Sequence, residues 1–251
     1  MLEVKNVSAG YGKGDVLKNV SFSCEKGKFT VIIGKNGSGK STLLKCIVGI
    51  LSCRGEISVS GQNLSELSDI QRARKVAYLP QMRNVPNMSL QTLLLHGRFP
   101  HLSYPRKYGK KDMDVVASVI KEMKLSELKG KNLSEMSGGQ QRKAYIGMAL
   151  AQETPVILLD EPTTHLDFAE QFKLLDVIKN LTLQGKNVVA VMHDLPLAFK
   201  YADEIVVVDD GKVLQCGKSR DVAESGIVEK VFGVKIKKVE FSDGCEYCIG
   251  V

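Results

Sequence analysis

A glycine-rich segment that ends in a lysine and a hydroxyl residue is the strongest chemical feature of this sequence. Residues 34–41 read GKNGSGKS and match the pattern G-x-x-x-x-G-K-[ST]. Glycines let consecutive backbone N–H groups turn toward phosphate oxygens, and a helix that begins at the end of the loop points its positive dipole end at the same oxygens. Lys40 can reach the β- and γ-phosphates, and the Ser41 hydroxyl can bind Mg²⁺. The segment therefore predicts a nucleoside triphosphate site, which kinases, GTPases and helicases would share.

Two adjacent acids, Asp160 and Glu161, follow the apolar run 156–159. A run that is apolar at every position is typical of a parallel strand covered on both faces. Carboxylates at the end of such a strand are the usual partners of a phosphate loop. We expect Asp160 to hold the Mg²⁺ and Glu161 to polarise the attacking water.

A second candidate anion site is the segment Ser137-Gly138-Gly139-Gln140, which opens a predicted helix over 141–151. A serine followed by two glycines exposes backbone N–H groups at a helix N-terminus. The segment lies between the phosphate loop and the acidic pair in the sequence. By itself it could also be an ordinary helix cap.

The order of these motifs resembles the ABC ATPase family over nearly the whole chain. The resemblance implies ATP and Mg²⁺ as ligands, with catalytic roles for Glu161, His193 and Gln81. It implies that Ser41, Gln81 and Asp160 lie at the metal. The further nucleotide-binding residues that it implies are Tyr11, which would stack on adenine, the phosphate-loop residues Gly34, Asn36, Gly37, Ser38, Gly39, Lys40, Ser41 and Thr42, the signature residues Ser137, Gly138, Gly139 and Gln140, and Asp167 of the D-loop.

Three positions depart from the usual pattern of that family. Lys35 stands where many members have proline, Met136 replaces a leucine before the signature, and residues 141–143 read QRK rather than RQR. Because none of these is a catalytic group, the implied roles are unchanged.

The elements predicted around these motifs form an α/β fold with a largely parallel sheet. Strands over 2–7, 16–23, 28–33 and 55–60 suggest an antiparallel sheet laid over the start of the core. From about 88 to 152 the chain is predicted to be mostly helical. Within it Met113, Val116, Ile120 and Met123 recur at helical spacing and predict a core-facing stripe.

Further along the chain, Asp167 is a plausible N-cap, 188–192 is a predicted strand, and Asp210-Gly211 predicts a hairpin. The resemblance implies a P-loop NTPase core with an N-terminal antiparallel β subdomain and a helical signature subdomain. We predict one ABC ATPase domain over 1–251, in which 1–87 and 153–251 form the core and β subdomain and 88–152 the helical subdomain.

Several stretches resemble one subgroup of the family more closely, the importer ATPases for iron-siderophores, haem and cobalamin. They are 97–102 (GRFPHL), 148–155, 161–167 (EPTTHLD), 193–195 and 201–203. Molybdate and zinc importers remain alternatives, as does a non-transport ATPase of iron–sulfur assembly. The implied partners are an integral-membrane permease, a second copy of the chain in a head-to-tail ATP-bound dimer and, indirectly, an extracytoplasmic substrate-binding protein.

Composition and charge patterning indicate which partners and which cellular location to expect. The formal net charge is +7, but no run of five or six like charges occurs, so we expect a solvated surface and no nucleic-acid partner. No stretch approaches the roughly 18 apolar residues of a membrane span. The N-terminus lacks the pattern of a secretory signal. We therefore expect a peripheral protein at the cytoplasmic face of the membrane.

The six cysteines predict no metal site. Cys24, Cys46, Cys53 and Cys216 lie in apolar or strand-like stretches and are expected to be reduced, small hydrophobic residues. Cys245 and Cys248 form a CxxC pair, which is half of a four-ligand zinc site. We expect two ordinary thiols on a terminal strand.

Overall fold

The computed structural model describes residues 1–12, 14–81, 85–241 and 244–250, with the side chains of 240, 241, 244 and 245 left aside. The strands are β1 (Leu2–Ala9), β2 (Leu17–Cys24), β3 (Phe29–Ile33), β4 (Arg54–Val59), β5 (Gln62–Asn63), β6 (Val76–Leu79), β7 (Val156–Asp160), β8 (Asn187–Val191), β9 (Glu204–Asp209), β10 (Lys212–Lys218), β11 (Lys235–Phe241) and β12 (Gly244–Gly250). The α-helices are α1 (Lys40–Ile47), α2 (Asp69–Ala73), α3 (Leu90–His96), α4 (Lys110–Glu122), α5 (Gly138–Ala151), α6 (Phe168–Leu183), α7 (Leu195–Tyr201), α8 (Ser219–Glu224) and α9 (Ile227–Phe232).

A six-stranded sheet in the order β10-β9-β3-β8-β7-β6 forms the centre of the molecule. The strands from β9 to β6 are mutually parallel, and only β10 runs antiparallel to its neighbour. The carboxyl ends of parallel strands meet at one edge of a sheet, where α/β proteins bind their ligands. The sheet therefore gathers the phosphate loop after β3, the acidic pair at the end of β7 and His193 after β8.

Alternate side chains of β3 lie on opposite faces of the sheet, and each face packs against a separate apolar layer. Phe29, Val31 and Ile33 face the layer that contains α3 to α7, whereas Ile32 faces the layer that contains α1 and the antiparallel sheet. All five residues of β3 are buried. Because both faces of the strand are covered, its sequence is apolar except at Thr30, whose buried hydroxyl donates a hydrogen bond to Glu204.

The antiparallel sheet has the order β2-β1-β4-β5. It confirms the strands predicted over 2–7, 16–23 and 55–60. The prediction that 28–33 belongs to the same sheet was wrong, because β3 pairs in parallel with β8 and β9 at the centre of the core. Proximity in sequence suggested the wrong partners. Burial of the strand on both faces accounts for its central position.

Three α-helices, α3, α4 and α5, lie in the segment predicted to be mostly helical, with short 3₁₀ turns between them. Val116, Ile120 and Met123 are buried in the core, as the helical spacing predicts. Met113 was wrongly assigned to the same stripe, since it is 40% exposed. It lies in the first turn of α4, where Gln91 of α3 contacts its sulfur atom but leaves much of the side chain exposed. The division into subdomains at 88 and 152 stays a prediction.

The elements that follow α5 include a capped helix and two hairpins. Asp167 caps α6 by accepting a hydrogen bond from the N–H of Glu170, and Asp210-Gly211 joins β9 to β10, so both predictions are confirmed. The β11–β12 hairpin rests on α7, where the Phe199 and Tyr247 rings lie 5.6 Å apart. Among the described residues, no helix has the length and apolarity that crossing a membrane requires.

Candidate functional site

The loop that joins β3 to α1 has the backbone geometry of a phosphate cradle. Gly37 and Gly39 have φ angles of +79° and +102°, in the region that L side chains rarely adopt. A Cβ atom at Gly34 would lie 2.0 Å from the carbonyl oxygen of Val208. The hydroxyl of Ser38 is buried and has no hydrogen-bond partner within the described part of the chain. Glycine is therefore required at these turns, and the loop holds an unsatisfied donor.

Lys40 begins α1 and is buried beneath this loop. Its ammonium group donates hydrogen bonds to the carbonyl oxygens of Gly34, at 2.8 Å, and Lys35, at 2.7 Å. Burial lowers the pKa of Lys40, while the nearby carboxylates of Glu161 and Asp160 oppose that shift. An ammonium group has three donors, so Lys40 can still donate one hydrogen bond to an anion in the loop.

Asp160, the last residue of β7, lies against the first turn of α1. Its Oδ1 accepts a hydrogen bond from the Ser41 hydroxyl at 3.1 Å, and its Oδ2 accepts one from the Tyr78 hydroxyl at 3.4 Å. Burial raises the pKa of Asp160 despite these hydrogen bonds, and adjacent Glu161 adds to the rise. A nearby cation would favour the ionised form of such a buried carboxylate.

Glu161 is the centre of a polar cluster at the same edge of the sheet. Its Oε1 lies 2.6 Å from Nε2 of His193, and its Oε2 accepts hydrogen bonds from Gln81 Nε2 at 2.8 Å and Thr164 Oγ1 at 3.2 Å. The three side chains predicted to be catalytic thus lie together. They come from distant parts of the sequence, after β6, β7 and β8.

Opposing effects set the charge state of Glu161. Burial raises the pKa of Glu161, but the hydrogen bonds from His193 and Thr164 and the charge of Lys40 outweigh it, so the pKa is lowered overall. At neutral pH the side chain is therefore an ionised carboxylate that can accept a proton from water.

A cavity of about 300 Å³ connects these groups. Among the described residues that line it are Asn36, Gly37, Gly39, Lys40, Ser41 and Thr42 of the loop and helix, together with Val16, Glu161 and His193. The cavity brings the phosphate loop and the proposed water-activating carboxylate to the two sides of one space.

The signature segment lies outside that cavity as far as the chain is described. Ser137 caps α5 by accepting a hydrogen bond from the Gln140 N–H, and the Gln140 side chain accepts one from the Ser137 N–H. Gly139 packs directly against Glu170 of α6, since a Cβ atom there would lie 2.2 Å from its carboxylate. Within one copy, the structure does not bring Ser137 to Gln140 into contact with the phosphate loop.

Tyr11 and Asp167 also stand apart from the cavity. The Tyr11 side chain is 61% exposed, with Lys45 Nζ 5.6 Å from the centre of its ring. Such a ring is free to stack on a flat ligand. Asp167 caps α6 beside the signature helix, where its Oδ1 accepts a hydrogen bond from the Glu170 N–H.

Arg142 is a site-associated residue that sequence reasoning missed. Its side chain is buried, and its Nη2 donates to the carbonyl oxygen of Thr164 at 3.1 Å. The guanidinium therefore joins the signature helix to the loop that carries Glu161. A charged residue on the buried face of α5 was the available signal, but only the tertiary structure shows what it contacts.

Comparisons with known proteins agree with this geometry. A sequence model of the family described as "ABC transporter" matches residues 17–164. The chain belongs to the ABC transporter family. The probable siderophore transport system ATP-binding protein YusV of Bacillus subtilis is 34% identical over 93% of this chain and 86% of its own length. The ferric enterobactin transport ATP-binding protein FepC of Escherichia coli is 32% identical over 93% of this chain and 88% of its own length.

Solved structures agree in fold. An inward-facing ABC transporter described as metal-chelate type superposes with a TM-score of 0.86 at 25% identity, covering 99% of this chain and 95% of that chain. A dimeric ATP-binding cassette in a post-hydrolysis state with ADP and Pi superposes with a TM-score of 0.74 at 30% identity, covering 88% and 99%. The predicted fold class and the ATPase activity are thereby confirmed, and this ABC ATPase binds nucleotide.

Proposed function

We propose that this ABC ATPase uses ATP hydrolysis to drive import of an iron chelate through a membrane permease. The observation that carries the proposal is the agreement among relatives of similar length. Besides YusV and FepC, the petrobactin import protein FpuD of Bacillus anthracis is 35% identical over 92% of this chain and 86% of its own length. YusV is named for siderophore transport in general, FepC for ferric enterobactin and FpuD for petrobactin, which supports the cargo class and no single compound.

The phosphate loop supplies the nucleotide contacts in this proposal. The buried Ser38 hydroxyl and the third donor of Lys40 both suit phosphate oxygens. Asn36 and the loop glycines would contribute backbone N–H groups, while Thr42 would support the loop from α1. Tyr11 would stack on the adenine.

Mg²⁺ fits the oxygen atoms at the start of α1. The Ser41 hydroxyl and the Asp160 carboxylate lie 3.1 Å apart, and Mg²⁺ is usually bound by one or two protein oxygens together with phosphates and water. The Gln81 side chain, beside Glu161, would complete the surroundings of the metal. The bound ion would neutralise charge on the phosphates, and it would also relieve the raised pKa of Asp160.

Glu161 is proposed to accept the proton of the attacking water. Its hydrogen bonds with His193 and Thr164 hold both carboxylate oxygens in place, so little reorganisation is needed when the water is bound. His193 also lines the cavity and would contact the γ-phosphate. A structural change in this cluster would move Gln81, and Gln81 would transmit that movement to the segment that follows it.

The signature segment is proposed to act in a second copy of the chain. Ser137 and Gly138 at the start of α5 are exposed, and the segment does not line the cavity at the phosphate loop of its own copy. A head-to-tail dimer would place the Ser137 to Gln140 segment of one copy over the nucleotide of the other. Two anion-binding features that do not meet in one copy are thereby explained.

The permease would bind the helical segment 88–152 on the cytoplasmic face of the membrane. Gln81 precedes this segment and touches Glu161, which supports a rigid-body rotation driven by ATP. An extracytoplasmic binding protein would deliver the chelate on the other side of the membrane. A nucleic-acid partner is not part of the proposal.

Reconstitution in liposomes tests the cargo class. The chain and its cognate permease are reconstituted with ATP inside the vesicles, and the binding protein is added outside. Uptake of ferric siderophore, haem, cobalamin, molybdate and zinc is then measured in parallel. We expect ATP-dependent uptake of an iron chelate. Lys40→Ala is the matched control, because it removes the buried ammonium group that we assign to phosphate.

Uptake of molybdate or zinc alone would contradict the cargo class and leave the ATPase assignment intact. Export of a lipid would contradict the import direction. Uptake that persists in Lys40→Ala would contradict the nucleotide-site assignment.

A further inference from the structure

Two cysteines lie together at the far end of the helix that begins at the phosphate loop. Cys46 is in the last turn of α1, and Cys53 precedes β4. Their thiols lie close enough for each to shift the pKa of the other. Cys46 is buried and Cys53 is half-buried. The turn between them is tightened by hydrogen bonds from the N–H groups of Ile50 and Leu51 to the carbonyl oxygen of Lys45.

A cavity of about 290 Å³ opens onto this thiol pair. Both cysteines line it, and the side chain of Arg72 forms another part of the wall. Small solutes in the cavity can therefore meet a sulfur atom directly. In the described part of the chain no group of three or more His, Cys, Asp or Glu side chains is arranged to hold a metal ion, so the pair lacks the ligands of a stable metal site.

Arg72 is fixed in a position that favours a thiolate. Its Nε donates to the carbonyl oxygen of Leu64 at 3.2 Å, and its Nη2 donates to that of Leu67 at 3.3 Å. The guanidinium lies directly against Gly49, where a Cβ atom would approach Nη1 to 1.8 Å. The positive charge is thereby held over the turn that connects the two cysteines.

The two thiols are not equivalent. Interaction with the Cys46 thiol, assisted by the charge of Arg72, lowers the pKa of Cys53, and burial opposes this only in part. The same interaction, together with burial, raises the pKa of Cys46. A thiolate is the reactive form of cysteine, and Cys53 is also the less buried of the two residues. Cys53 is therefore the nucleophile and Cys46 the second thiol.

We infer that Cys53 and Cys46 form an oxidation site at which hydrogen peroxide produces an intramolecular disulfide. The Cys53 thiolate attacks a peroxide oxygen, an S–O bond forms, the O–O bond breaks, and the departing hydroxide becomes water with a proton from solvent. Cys46 then loses its proton and attacks the Cys53 sulfenic acid. An S–S bond forms, the S–O bond breaks, and a second water leaves. The two thiols lose two electrons, and hydrogen peroxide gains them.

Mass spectrometry of the full-length protein tests the inference directly. Because trypsin cleaves after Lys45 and Arg54, both cysteines fall on one peptide, residues 46–54. Reduced protein is treated with hydrogen peroxide, the remaining thiols are alkylated, and the peptide is weighed. We expect a peptide that carries no alkyl group and is lighter by two hydrogen atoms than the reduced form.

Variants assign the roles of the two sulfur atoms. Cys46→Ala, which removes the buried thiol without adding a buried hydroxyl, should leave Cys53 as a sulfenic acid that dimedone traps. Cys53→Ser should abolish peroxide-dependent oxidation of the peptide. Cys216→Ser is the matched control, since Cys216 is exposed on β10, and it should leave disulfide formation unchanged.

A competition experiment on the unmodified protein avoids any effect of mutation on folding. At neutral pH and with limiting iodoacetamide, we expect Cys53 to be alkylated on the order of tenfold faster than Cys216. The pKa of Cys53 is lowered, whereas desolvation of the Cys216 sulfur and the charge of Glu204 raise the pKa of Cys216 although the residue as a whole is exposed. Exposure alone would give the opposite order. The inference is overturned if Cys216 reacts faster, or if peroxide leaves both thiols of the 46–54 peptide available for alkylation.

Discussion

At the scale of the residue, Glu161 shows how strongly the site constrains one side chain. Its backbone has a φ angle of +52°, in the left-handed region that non-glycine residues rarely adopt. Its carboxylate is held by Gln81, Thr164 and His193. Such a backbone conformation persists only where the surroundings determine it. The carboxylate is therefore positioned before any substrate arrives, which is what activation of a water molecule requires.

The first prediction concerns the contact between His193 and Glu161. His193→Ala removes the hydrogen bond that lowers the pKa of Glu161, so the raising effect of burial is opposed less. Glu161 must be ionised to accept a proton, and activity falls as pH drops through its pKa. The acidic limb of the pH–turnover profile should therefore move to higher pH, and turnover at neutral pH should fall about 10²-fold or more.

Steady-state ATPase assays over a pH series, with nucleotide binding measured separately, check both effects. ATP affinity should change much less than turnover. His96→Ala, at an exposed position at the end of α3, is the control and should behave like the wild type. An unchanged turnover number in His193→Ala would rule out the proposed role.

At the scale of the element, one buried arginine joins all three helices of the 88–152 segment. Arg98 is 1% exposed and follows α3. Its Nε donates to Asp112 in α4 at 3.0 Å, and its Nη1 donates to the carbonyl oxygen of Ala151 at 2.6 Å and to Glu153 at 2.7 Å. These contacts connect the end of α3 with the start of α4 and the end of α5. A segment tied in this way can move as one body, as coupling to a permease requires.

The second prediction is that Arg98 contributes much more to stability than surface ion pairs do. Arg98→Met keeps an unbranched aliphatic stem but removes the guanidinium, which leaves the mostly buried Asp112 without its ion-pair partner. This loss should lower the free energy of unfolding by about 3–5 kcal/mol. Urea unfolding measures this change. The exposed pair between Lys18 and Asp210, 2.9 Å apart, is the comparison, and Lys18→Met should cost about 0–1 kcal/mol. Equal effects of the two substitutions would contradict the prediction.

An element can be predicted from the sequence when the residues that determine its structure lie within the same short segment. The turns at Gly37 and Gly39, the cap at Asp167 and the hairpin at Asp210 need particular residues at particular backbone angles, so each could be predicted from its own segment. The central place of β3 could not, because pairing with β8 and β9 is decided by segments far away in the chain.

The residues of the candidate site also differ in how far the sequence predicts them. The phosphate loop and the acidic pair are recognisable because phosphate binding requires fixed spacings along the chain. The hydrogen bonds from Gln81 and His193 to Glu161 could be inferred only from resemblance to a family, since no spacing relates them. Arg142 and the Cys46–Cys53 contact were missed altogether, because side-chain contacts between separate elements leave no periodic trace in a sequence.

At the scale of the whole molecule, the decisive feature is that one copy holds two incomplete anion sites. The phosphate loop has Lys40 and Ser41, and the start of α5 has its capped N–H groups, but they do not share a cavity in the described structure. In the proposed head-to-tail dimer each site completes the other. Dimerisation would then depend on the bound nucleotide and would be lost once the products of hydrolysis leave.

The third prediction tests this arrangement at Gly138. A Cβ atom there would lie 3.9 Å from Cδ2 of Leu166, an ordinary contact, so a single copy has room for a side chain. An acid in the first turn of α5 is favourable within one copy because it faces the positive end of the helix dipole. In the dimer the same carboxylate would face the triphosphate of the partner and repel it. Gly138→Asp should therefore leave folding and ATP affinity intact and prevent dimerisation.

Glu161→Gln provides the background for the measurement, since it keeps the shape of the side chain, removes the charge that activates water and should hold ATP without hydrolysing it. Size-exclusion chromatography with light scattering should find Glu161→Gln dimeric in ATP and monomeric without it. The double variant with Gly138→Asp should stay monomeric in ATP, and the double variant with Gly138→Ala should still form dimers, because it adds a side chain without a charge. If Gly138→Asp forms the ATP-dependent dimer as readily as Gly138→Ala does, the start of α5 does not face the partner's nucleotide, and the head-to-tail arrangement is wrong.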